Sequence, residues 1–275
     1  MLIRIISAII GLIVLVPLII IGGVWLQIGL TIVVIMGMWE FYRAFEDIGI
    51  RHFLGFALAV VYIAFISVGD HFPDFWPLVF LPILMAVAYM AFVIMRRKSY
   101  KPNSSAIALL GFFYIAAPLS TIYLLREGQG LGMYHVWLVF ISAWGCDTGA
   151  YFVGRTMGRH KLAPALSPKK TVEGSIGGTV SATLLGAIYG FILYNLGHLD
   201  FGYILIFALV AFVCSISGQI GDLAASSIKR SRNMKDFGSI MPGHGGMLDR
   251  FDSIIFTAPL AFVMLTLLER FMIIL

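Results

Sequence analysis

Charge is the property that this chain has least of. Only 12% of its 275 residues are charged and 60% are hydrophobic, whereas an average soluble domain has about 25% charged residues. The two cysteines, Cys146 and Cys214, both lie in apolar stretches, which excludes a disulfide framework or a cysteine-rich zinc site within one chain. The sequence contains no internal repeat and no low-complexity tract, and no linker separates a soluble domain from the rest of the chain. The simplest prediction is a single membrane domain over residues 1–275.

Long apolar runs are what the chain has instead. A helix needs about 20 mostly apolar residues to cross the hydrocarbon core, because each backbone polar group must be satisfied within its own segment. The first run has no Ala-x-Ala type cleavage site and is long for a signal-peptide core, so we expect it to remain as a helix. The predicted spans are 5–22, 24–40, 53–69, 76–95, 105–124, 134–153, 174–195, 202–222 and 252–273. The fold class is therefore an all-α polytopic membrane protein with about nine transmembrane helices.

The basic residues indicate how these spans are oriented. Every Lys and Arg except Arg126 and Arg270 falls at one side if the chain starts in the cytoplasm, which is the positive-inside pattern. We therefore expect a cytoplasmic N-terminus and a C-terminus on the opposite side. The cytoplasmic segments are then the N-terminus and the loops 41–52, 96–104, 154–173 and 223–251.

The last two cytoplasmic loops are longer than a helix connection needs. Membrane topology and anionic lipid headgroups explain the basic cluster in the loop after the fourth span. The last two cytoplasmic loops differ, because they mix basic residues with Gly, Pro, Ser and Thr, as a phosphate-binding site would. In the first, Ser167 and Pro168 predict a helix start, as N-cap and first helical residue. Lys169 and Lys170 follow and suit phosphate. Neither loop has a P-loop or a GxGxxG after a strand, so any nucleotide site is of another kind.

Four carboxylates fall at the cytoplasmic ends of the last four spans: Asp147, Glu173, Asp222 and Asp249. Acidic residues in membrane helices cost about 2.5 to 3.5 kcal/mol each at the bilayer centre, so they are functional candidates. A single one is equally well explained by a helix-end ion pair, but four at one depth favour a functional cluster. Oxygen ligands beside basic loops suit Mg²⁺, and we predict Asp222 and Asp249, with Asp147, as its ligands.

The connection into the last span combines several features of an anion site. Gly245 and Gly246 precede a helix N-terminus with partial positive charge, and their N–H groups are predicted to bind an anion. Asp249 and Asp252 are three residues apart, so in a helix they share a face and bear on one metal ion or sugar hydroxyl. His244 by itself is more often structural than functional. The segment thus offers a metal ligand, a phosphate nest and several cations.

Strings in this connection resemble the C-terminal motif of the phosphatidate cytidylyltransferases, or CDP-diacylglycerol synthases. They are S-x-I-K-R at 226–230, K-D at 235–236, P-G-H-G-G at 242–246 and D-R-F-D at 249–252. The string from Trp144 to Gly174 is similar to a second block of that family, and the resemblance spans the chain in length and helix count. Met241 stands where the family has Leu, Ile or Phe, a swap with no chemical consequence.

The resemblance implies that CTP and phosphatidate react to give CDP-diacylglycerol and pyrophosphate. It also implies a Mg²⁺-dependent, homodimeric enzyme of the plasma membrane (the bacterial inner membrane), with its active site at the cytoplasmic side. A second cation is left open, membrane lipids are partners and nucleic acid is not. The acyl chains of phosphatidate stay in the bilayer while its headgroup meets water-borne CTP.

The resemblance also assigns roles to residues, mostly in the part 131–275, while 1–130 is expected to be scaffold with lipid or dimer contacts. Asp222 and Asp249 bind Mg²⁺ against the CTP phosphates as a phosphatidate oxygen attacks the α-phosphorus in line. Lys229 and Arg250 complete the catalytic set. The predicted substrate-binding residues are Lys169, Lys170, Thr171, Glu173, Ser226, Arg230, Lys235, Asp236, His244, Gly245, Gly246 and Asp252.

Other functions use similar residues but agree less well with this sequence. A cation or proton transporter would have acids near the bilayer midplane and inverted repeats, and neither is found. A lipid kinase that uses CTP, such as a polyprenol or dolichol kinase, would not need the complete motif over 226–252. A CDP-alcohol phosphotransferase would have the DG-x-x-AR pattern, which is absent.

Overall fold

The chain folds almost entirely into helices. The structure, a computed structural model, describes residues 2–45, 50–67, 76–95, 102–128, 130–241, 243 and 245–274. Its helices are α1 Leu2–Ile21, α2 Gly23–Ala44, α3 Ile50–Ser67, α4 Trp76–Met95, α5 Pro102–Gly111, α6 Ala117–Glu127, α7 Gly132–Thr156, α8 Val172–Asn195, α9 Gly202–Ser231 and α10 Leu248–Ile274. A π-helical turn, Phe112–Ala116, joins α5 to α6 in one continuous helix. The described residues therefore form nine helices, one at each predicted span.

Six of these helices are long and apolar enough to cross a membrane within the residues described. They cover Gly23–Ala44, Ser104–Glu127, Gly132–Thr156, Val172–Asn195, Gly202–Ser231 and Leu248–Leu268. The described apolar parts of the other three are shorter. The protein is thus an integral membrane protein, while the full count of nine crossings and the sides of the two termini stay predictions.

The chain divides into two compact units. The first unit comprises Met1–Glu127 with Asp236–Arg250, and the second comprises Gly128–Lys235 with Phe251–Leu275. The boundary falls near residue 128, and the segment 236–250 belongs to the first unit rather than with the helices on either side of it. The prediction that residues 1–275 form a single membrane domain stays a prediction.

In the first unit, α2 is the central helix. Its buried residues recur about every fourth position, at Leu26, Leu30, Val34 and Met38, which places them on one face. That face packs with α3, the π-helical turn and α6. Phe112 in the π-helical turn is also fully buried.

The turn between α1 and α2 is fastened by the end of α6. Arg126 Nε donates to the carbonyl of Ile19 at 2.7 Å, and its terminal nitrogen donates to the carbonyl of Ile20 at 2.8 Å. The Glu127 carboxylate accepts from the Gly23 N–H at 2.8 Å. The C-terminal carbonyls of α1 and the N-terminal amide of α2 are thus satisfied by side chains of opposite charge.

In the second unit, α8 packs between α7 and α9 through a line of small residues, which include Gly178, Ala182 and Gly186. A Cβ atom at Gly178 would lie 2.6 Å from the Cys146 carbonyl oxygen, and one at Gly186 would lie 2.7 Å from the Phe207 carbonyl oxygen. The helix backbones are therefore close enough to exclude larger side chains. This is the small-xxx-small packing typical of membrane helices.

A β-hairpin connects α7 to α8, and it corrects one prediction. Strands β1 Lys161–Ala163 and β2 Ser167–Thr171 pair antiparallel, so Ser167 and Pro168 lie in a strand and the predicted helix start at these residues is wrong. The N-cap of α8 is Thr171, whose side chain accepts from the Gly174 N–H at 3.1 Å. Proline is compatible with a short edge strand because it does not need to donate there.

The last predicted cytoplasmic loop is also shorter than expected. Helix α9 continues to Ser231, so the first residues of the predicted loop 223–251 are helical. The polar residues of that stretch still follow the helical period, which places Asp222, Ser226 and Lys229 close together on α9. A run of apolar residues indicates where a helix can cross the membrane, but it does not indicate where that helix ends.

Candidate active site

A cleft of about 580 Å³ opens in the second unit between α7, the β-hairpin, α8 and α9. Its volume is in the range of small-molecule sites. Five predicted site residues line it: Asp147, Lys169, Lys170, Thr171 and Asp222. The other residues that line it are Ala150, Tyr151, Gly154, Arg155, Leu162, Gly174, Ser175 and Gln219.

A lysine and an aspartate form an ion pair in this cleft. Lys170 Nζ lies 2.5 Å from Asp222 Oδ2, and about a quarter of each side chain is exposed. The Ser226 hydroxyl donates to Asp222 Oδ1 at 3.4 Å from the next turn of α9. The hairpin thus presents a cation directly to a carboxylate that lies in an apolar helix, where such a charge needs a partner.

A glutamine one turn before Asp222 fastens α9 to α8. Gln219 Nε2 donates to Thr179 Oγ1 at 2.9 Å, and Gln219 Oε1 accepts from the Ser175 hydroxyl. Both Gln219 and Ser175 line the cleft, and neither was predicted from the sequence. Their signal was the spacing, because Ser175 and Thr179 are one turn apart on α8 and Gln219 and Asp222 lie three residues apart on α9.

Further charged residues lie around Asp222. Asp252 and Lys229 are each only 9% exposed. The Asp252 carboxylate experiences the negative charges of Asp222 and Asp147 and the positive charge of Lys229. Three carboxylates and two lysines are therefore concentrated within the second unit.

The donor set suits Mg²⁺ better than a soft metal. Among the described residues, no three His, Cys, Asp or Glu side chains are arranged to bind one ion. Magnesium does not require such a cage, because it is usually bound through one or two carboxylates, waters and substrate phosphates. Asp222 and Asp147 supply carboxylate oxygens in the cleft, which agrees with that chemistry.

Residues 2–268 match the family model described as the cytidylyltransferase family. The chain is 31% identical over 268 residues to the phosphatidate cytidylyltransferase of Staphylococcus haemolyticus (strain JCSC1435), which covers 96% of this chain and 98% of that protein. This chain belongs to the cytidylyltransferase family. It is also 35% identical over 178 residues to the phosphatidate cytidylyltransferase of Bacillus subtilis (strain 168), over 65% of this chain and 64% of the relative. The family predicted from the sequence is confirmed.

The remaining predicted residues of this cytidylyltransferase lie in different environments. Glu173 accepts from the backbone N–H groups of Arg159 and His160 at 3.0 and 3.2 Å, and meets His160 Nδ1 at 2.6 Å. It therefore orders the turn after α7. Arg230 donates to the carbonyls of Leu166 and Met234. Substrate contacts of these side chains stay predictions.

Asp249 has a structural role in the first unit. Its Oδ2 atom accepts from the Phe237 N–H at 2.8 Å and from the Gly246 N–H at 3.0 Å, and the residue is 6% exposed. The Gly246 N–H, which was predicted to bind substrate, is thus bonded within the protein. Asp222 lies in the second unit, and the binding of one ion by both carboxylates stays a prediction.

Most of the other predicted site residues in or near the segment 236–250 are exposed. Lys235, Asp236 and Arg250 are exposed, as is Lys169 in the hairpin. The carbonyl of Gly245 accepts from the Met241 N–H at 2.9 Å, and Gly245 has a φ of 86° that favours glycine. His244 lies outside the described residues.

A buried acid in the first unit was not predicted from the sequence. Glu40, on α2, has no exposed surface. It accepts from the Met247 N–H at 3.0 Å and from the Leu248 N–H at 2.8 Å. Its only signal in the sequence was a carboxylate near the end of an apolar run.

Proposed function

We propose that this protein transfers the cytidylyl group of CTP to phosphatidate, with release of pyrophosphate, at the cytoplasmic edge of the plasma membrane. The observation that carries the proposal is the cleft lined by Lys169, Lys170, Asp147 and Asp222, in which Lys170 pairs with Asp222. A cytidylyltransferase must bind a triphosphate and a divalent ion together, and this cleft holds groups suited to both. Homodimer formation is part of the proposal by resemblance.

The two lysines supply the positive charge of the site. The exposed ammonium of Lys169 and the paired ammonium of Lys170 bind phosphate oxygens as point charges. They reduce the repulsion between the triphosphate of CTP and the phosphate of the lipid, which would otherwise keep the reactants apart. Lys229, on α9 of the same unit, adds a third positive charge close to Asp252.

The carboxylates supply oxygen ligands. Asp222 and Asp147 would bind Mg²⁺, and Asp249 is proposed as a further ligand. When bound, Mg²⁺ neutralises charge on the phosphates in the transition state. A phosphate monoester is already anionic near neutral pH, so no side chain is needed to remove a proton from the attacking oxygen.

Apolar surface next to the cleft suits the lipid substrate. Tyr151 on α7 and Leu162 on the hairpin line the cleft, and Tyr151 is 57% exposed. These side chains would contact acyl chains while the phosphate reaches Lys169 and Lys170. The arrangement explains how a membrane-bound substrate and a water-borne nucleotide meet at one site.

The assay that tests the proposal uses the full-length protein purified in detergent with labelled CTP, phosphatidate and Mg²⁺. We expect labelled CDP-lipid and pyrophosphate, and no product when a chelator removes divalent ions. Release of CDP with a phosphorylated lipid would indicate a kinase and contradict the proposal, as would the absence of any product from folded protein.

A pair of variants ties the reaction to the cleft. We expect Asp222→Asn to lower turnover by orders of magnitude, because it removes a carboxylate charge beside Lys170. The matched control is Asp200→Asn, since Asp200 is an exposed aspartate in the connection between α8 and α9. Wild-type turnover in Asp222→Asn would remove this residue from the proposed site.

A further inference from the structure

The carboxylate of Glu40 is buried against the segment 236–250. An ionised carboxylate without exposed surface is costly unless several hydrogen bonds satisfy it. Glu40 Oε1 accepts from the Met247 N–H and Oε2 accepts from the Leu248 N–H, at 3.0 and 2.8 Å. These N–H groups are at the start of α10, where a helix attracts negative charge. The contact joins residues that are 207 and 208 positions apart in the chain.

Two glycines make room for this carboxylate. A Cβ atom at Gly238 or at Gly246 would overlap the Glu40 carboxylate. Neither glycine has a φ in the left-handed region, so the reason for glycine at both positions is space rather than backbone conformation. The segment therefore lies directly on Glu40 with no side chain between them.

Asp249 completes the arrangement from within the segment. It accepts from the N–H groups of Phe237 and Gly246, so two carboxylates together satisfy four backbone donors between residues 237 and 248. Glu40 holds the C-terminal end of the segment 236–250, where α10 begins. Asp249 holds the two ends of this segment together. If Glu40 is lost, the first turn of α10 loses two of its N–H acceptors.

We propose that Glu40 is a positioning residue for cytidylyl transfer. It does not contact substrate in this proposal. It fixes the Met247 and Leu248 N–H groups, and through them the turn of α10 in which Asp249 lies. The inference rests on the proposed function, because Asp249 matters for turnover only if this segment takes part in the reaction.

The test is Glu40→Gln in the full-length protein, with hydrogen exchange and kinetics measured on the same preparation. Glutamine keeps the shape of the side chain but replaces one acceptor oxygen with a donor that faces a backbone N–H. We expect amide exchange of residues 246–248 to become about tenfold faster or more, since one of the two N–H groups that Glu40 accepts from loses its acceptor. We expect kcat to fall about tenfold to a hundredfold, while KM for CTP changes by less than about twofold.

Tyr42→Phe is the matched control. Tyr42 lies two residues after Glu40 on α2, is 1% exposed, and its hydroxyl donates to the Ala108 carbonyl at 2.9 Å. The variant therefore removes a buried hydrogen bond from the same helix without touching the segment 236–250. We expect wild-type exchange at residues 246–248 and wild-type kcat per folded protein.

A second variant keeps the inference testable if Glu40→Gln folds poorly. Gly238→Ala adds a methyl group in the space of the Glu40 carboxylate and should speed exchange at the same amides. In a Glu40→Ala background the same methyl group has room, so Gly238→Ala should then have little further effect. This non-additivity is expected only if the glycine acts through Glu40.

The results separate the inference from the function on which it rests. Unchanged exchange at residues 246–248 in Glu40→Gln would overturn the contact, and faster exchange with unchanged kcat would overturn the positioning role. A wild-type protein that forms no CDP-lipid would instead contradict the proposed function. The exchange data would then still decide whether Glu40 fixes the start of α10.

Discussion

Thr171 performs two tasks with one side chain. It lines the candidate cleft and it caps α8 by accepting from the Gly174 N–H. Its hydroxyl is closely surrounded, because a Cβ atom at Gly154, Gly158 or Gly174 would lie within 2.9 Å of it. The position of Lys170, the preceding residue, therefore depends on how Thr171 is packed.

The variant Thr171→Val removes the helix cap but keeps the size of the side chain. Valine has nearly the same shape but no acceptor, and the loss of such a cap costs about 1 kcal/mol. We expect Tm in detergent to fall by about 2 to 4 °C, with lower turnover because Lys170 is less well placed. Thr171→Ser keeps the acceptor and is the control. An unchanged Tm in Thr171→Val would show that the cap does not stabilise α8.

At the scale of residues, the sequence indicates chemistry through residue type. Lys169, Lys170, Asp147 and Asp222 were predicted as site residues on that basis; the structure places them in one cleft, and their roles stay predictions. A contact to a partner that is distant in the sequence could not be predicted in this way. The bonds of Glu40 to the start of α10 have no local signature, and neither does the bond of Gln219 to α8.

At the scale of helices, Arg126 shows how one exception to a charge pattern arises. It was one of two basic residues outside the predicted cytoplasmic segments. The structure gives it a specific task, since its guanidinium donates to the carbonyls of Ile19 and Ile20 at the end of α1. The planar guanidinium group holds several N–H donors in a fixed geometry, so it can donate to two adjacent carbonyls at once. A lysine ammonium group lacks this geometry.

We expect Arg126→Gln to destabilise the protein by about 2 kcal/mol, in the range measured for hydrogen bonds of charged groups. Arg126→Lys should recover only part of this loss. Arg43→Gln is the control, because Arg43 is exposed and lies over the ring of Trp39. Thermal unfolding in detergent measures the difference, and equal Tm values for Arg126→Gln and Arg43→Gln would contradict a stabilising role.

Helix positions were easier to predict than helix ends. Hydropathy indicates where a helix can lie in lipid, and each predicted span coincides with a helix. The ends depend on capping and on polar contacts, so α9 continues to Ser231 and α8 begins after Thr171 rather than at Ser167. The small residues of α8 were visible in the sequence, but the helices that they contact were not.

At the scale of the whole molecule, the orientation in the membrane is open to a direct test. Helix α8 packs on both α7 and α9, and the short connections make neighbours antiparallel. The exposed residues Met157 and Ser231 therefore lie at one end of these helices and Asn195 lies at the other. The positive-inside pattern predicts that the first end lies in the cytoplasm.

Single cysteines at these positions should report the orientation. Cys146 and Cys214 are buried, so they should contribute little background. We expect an impermeant maleimide to label Asn195→Cys in intact cells, and to label Met157→Cys and Ser231→Cys only after permeabilisation. The reverse pattern would contradict the proposed cytoplasmic site, whereas labelling of all three after permeabilisation confirms that each is accessible.

The π-helical turn at Phe112–Ala116 bears on how this family can change over evolution. A π turn accommodates one more residue than an α-helix does, so deletion of one residue there leaves a regular α-helix and keeps the residues after it facing the same way. A one-residue deletion between Ala117 and Arg126 would instead rotate the residues after it by about 100°, and Arg126 would point away from α1. Among homologues, a one-residue gap at the π-helical turn should therefore be compatible with this arginine, whereas a gap later in α6 should be accompanied by its loss.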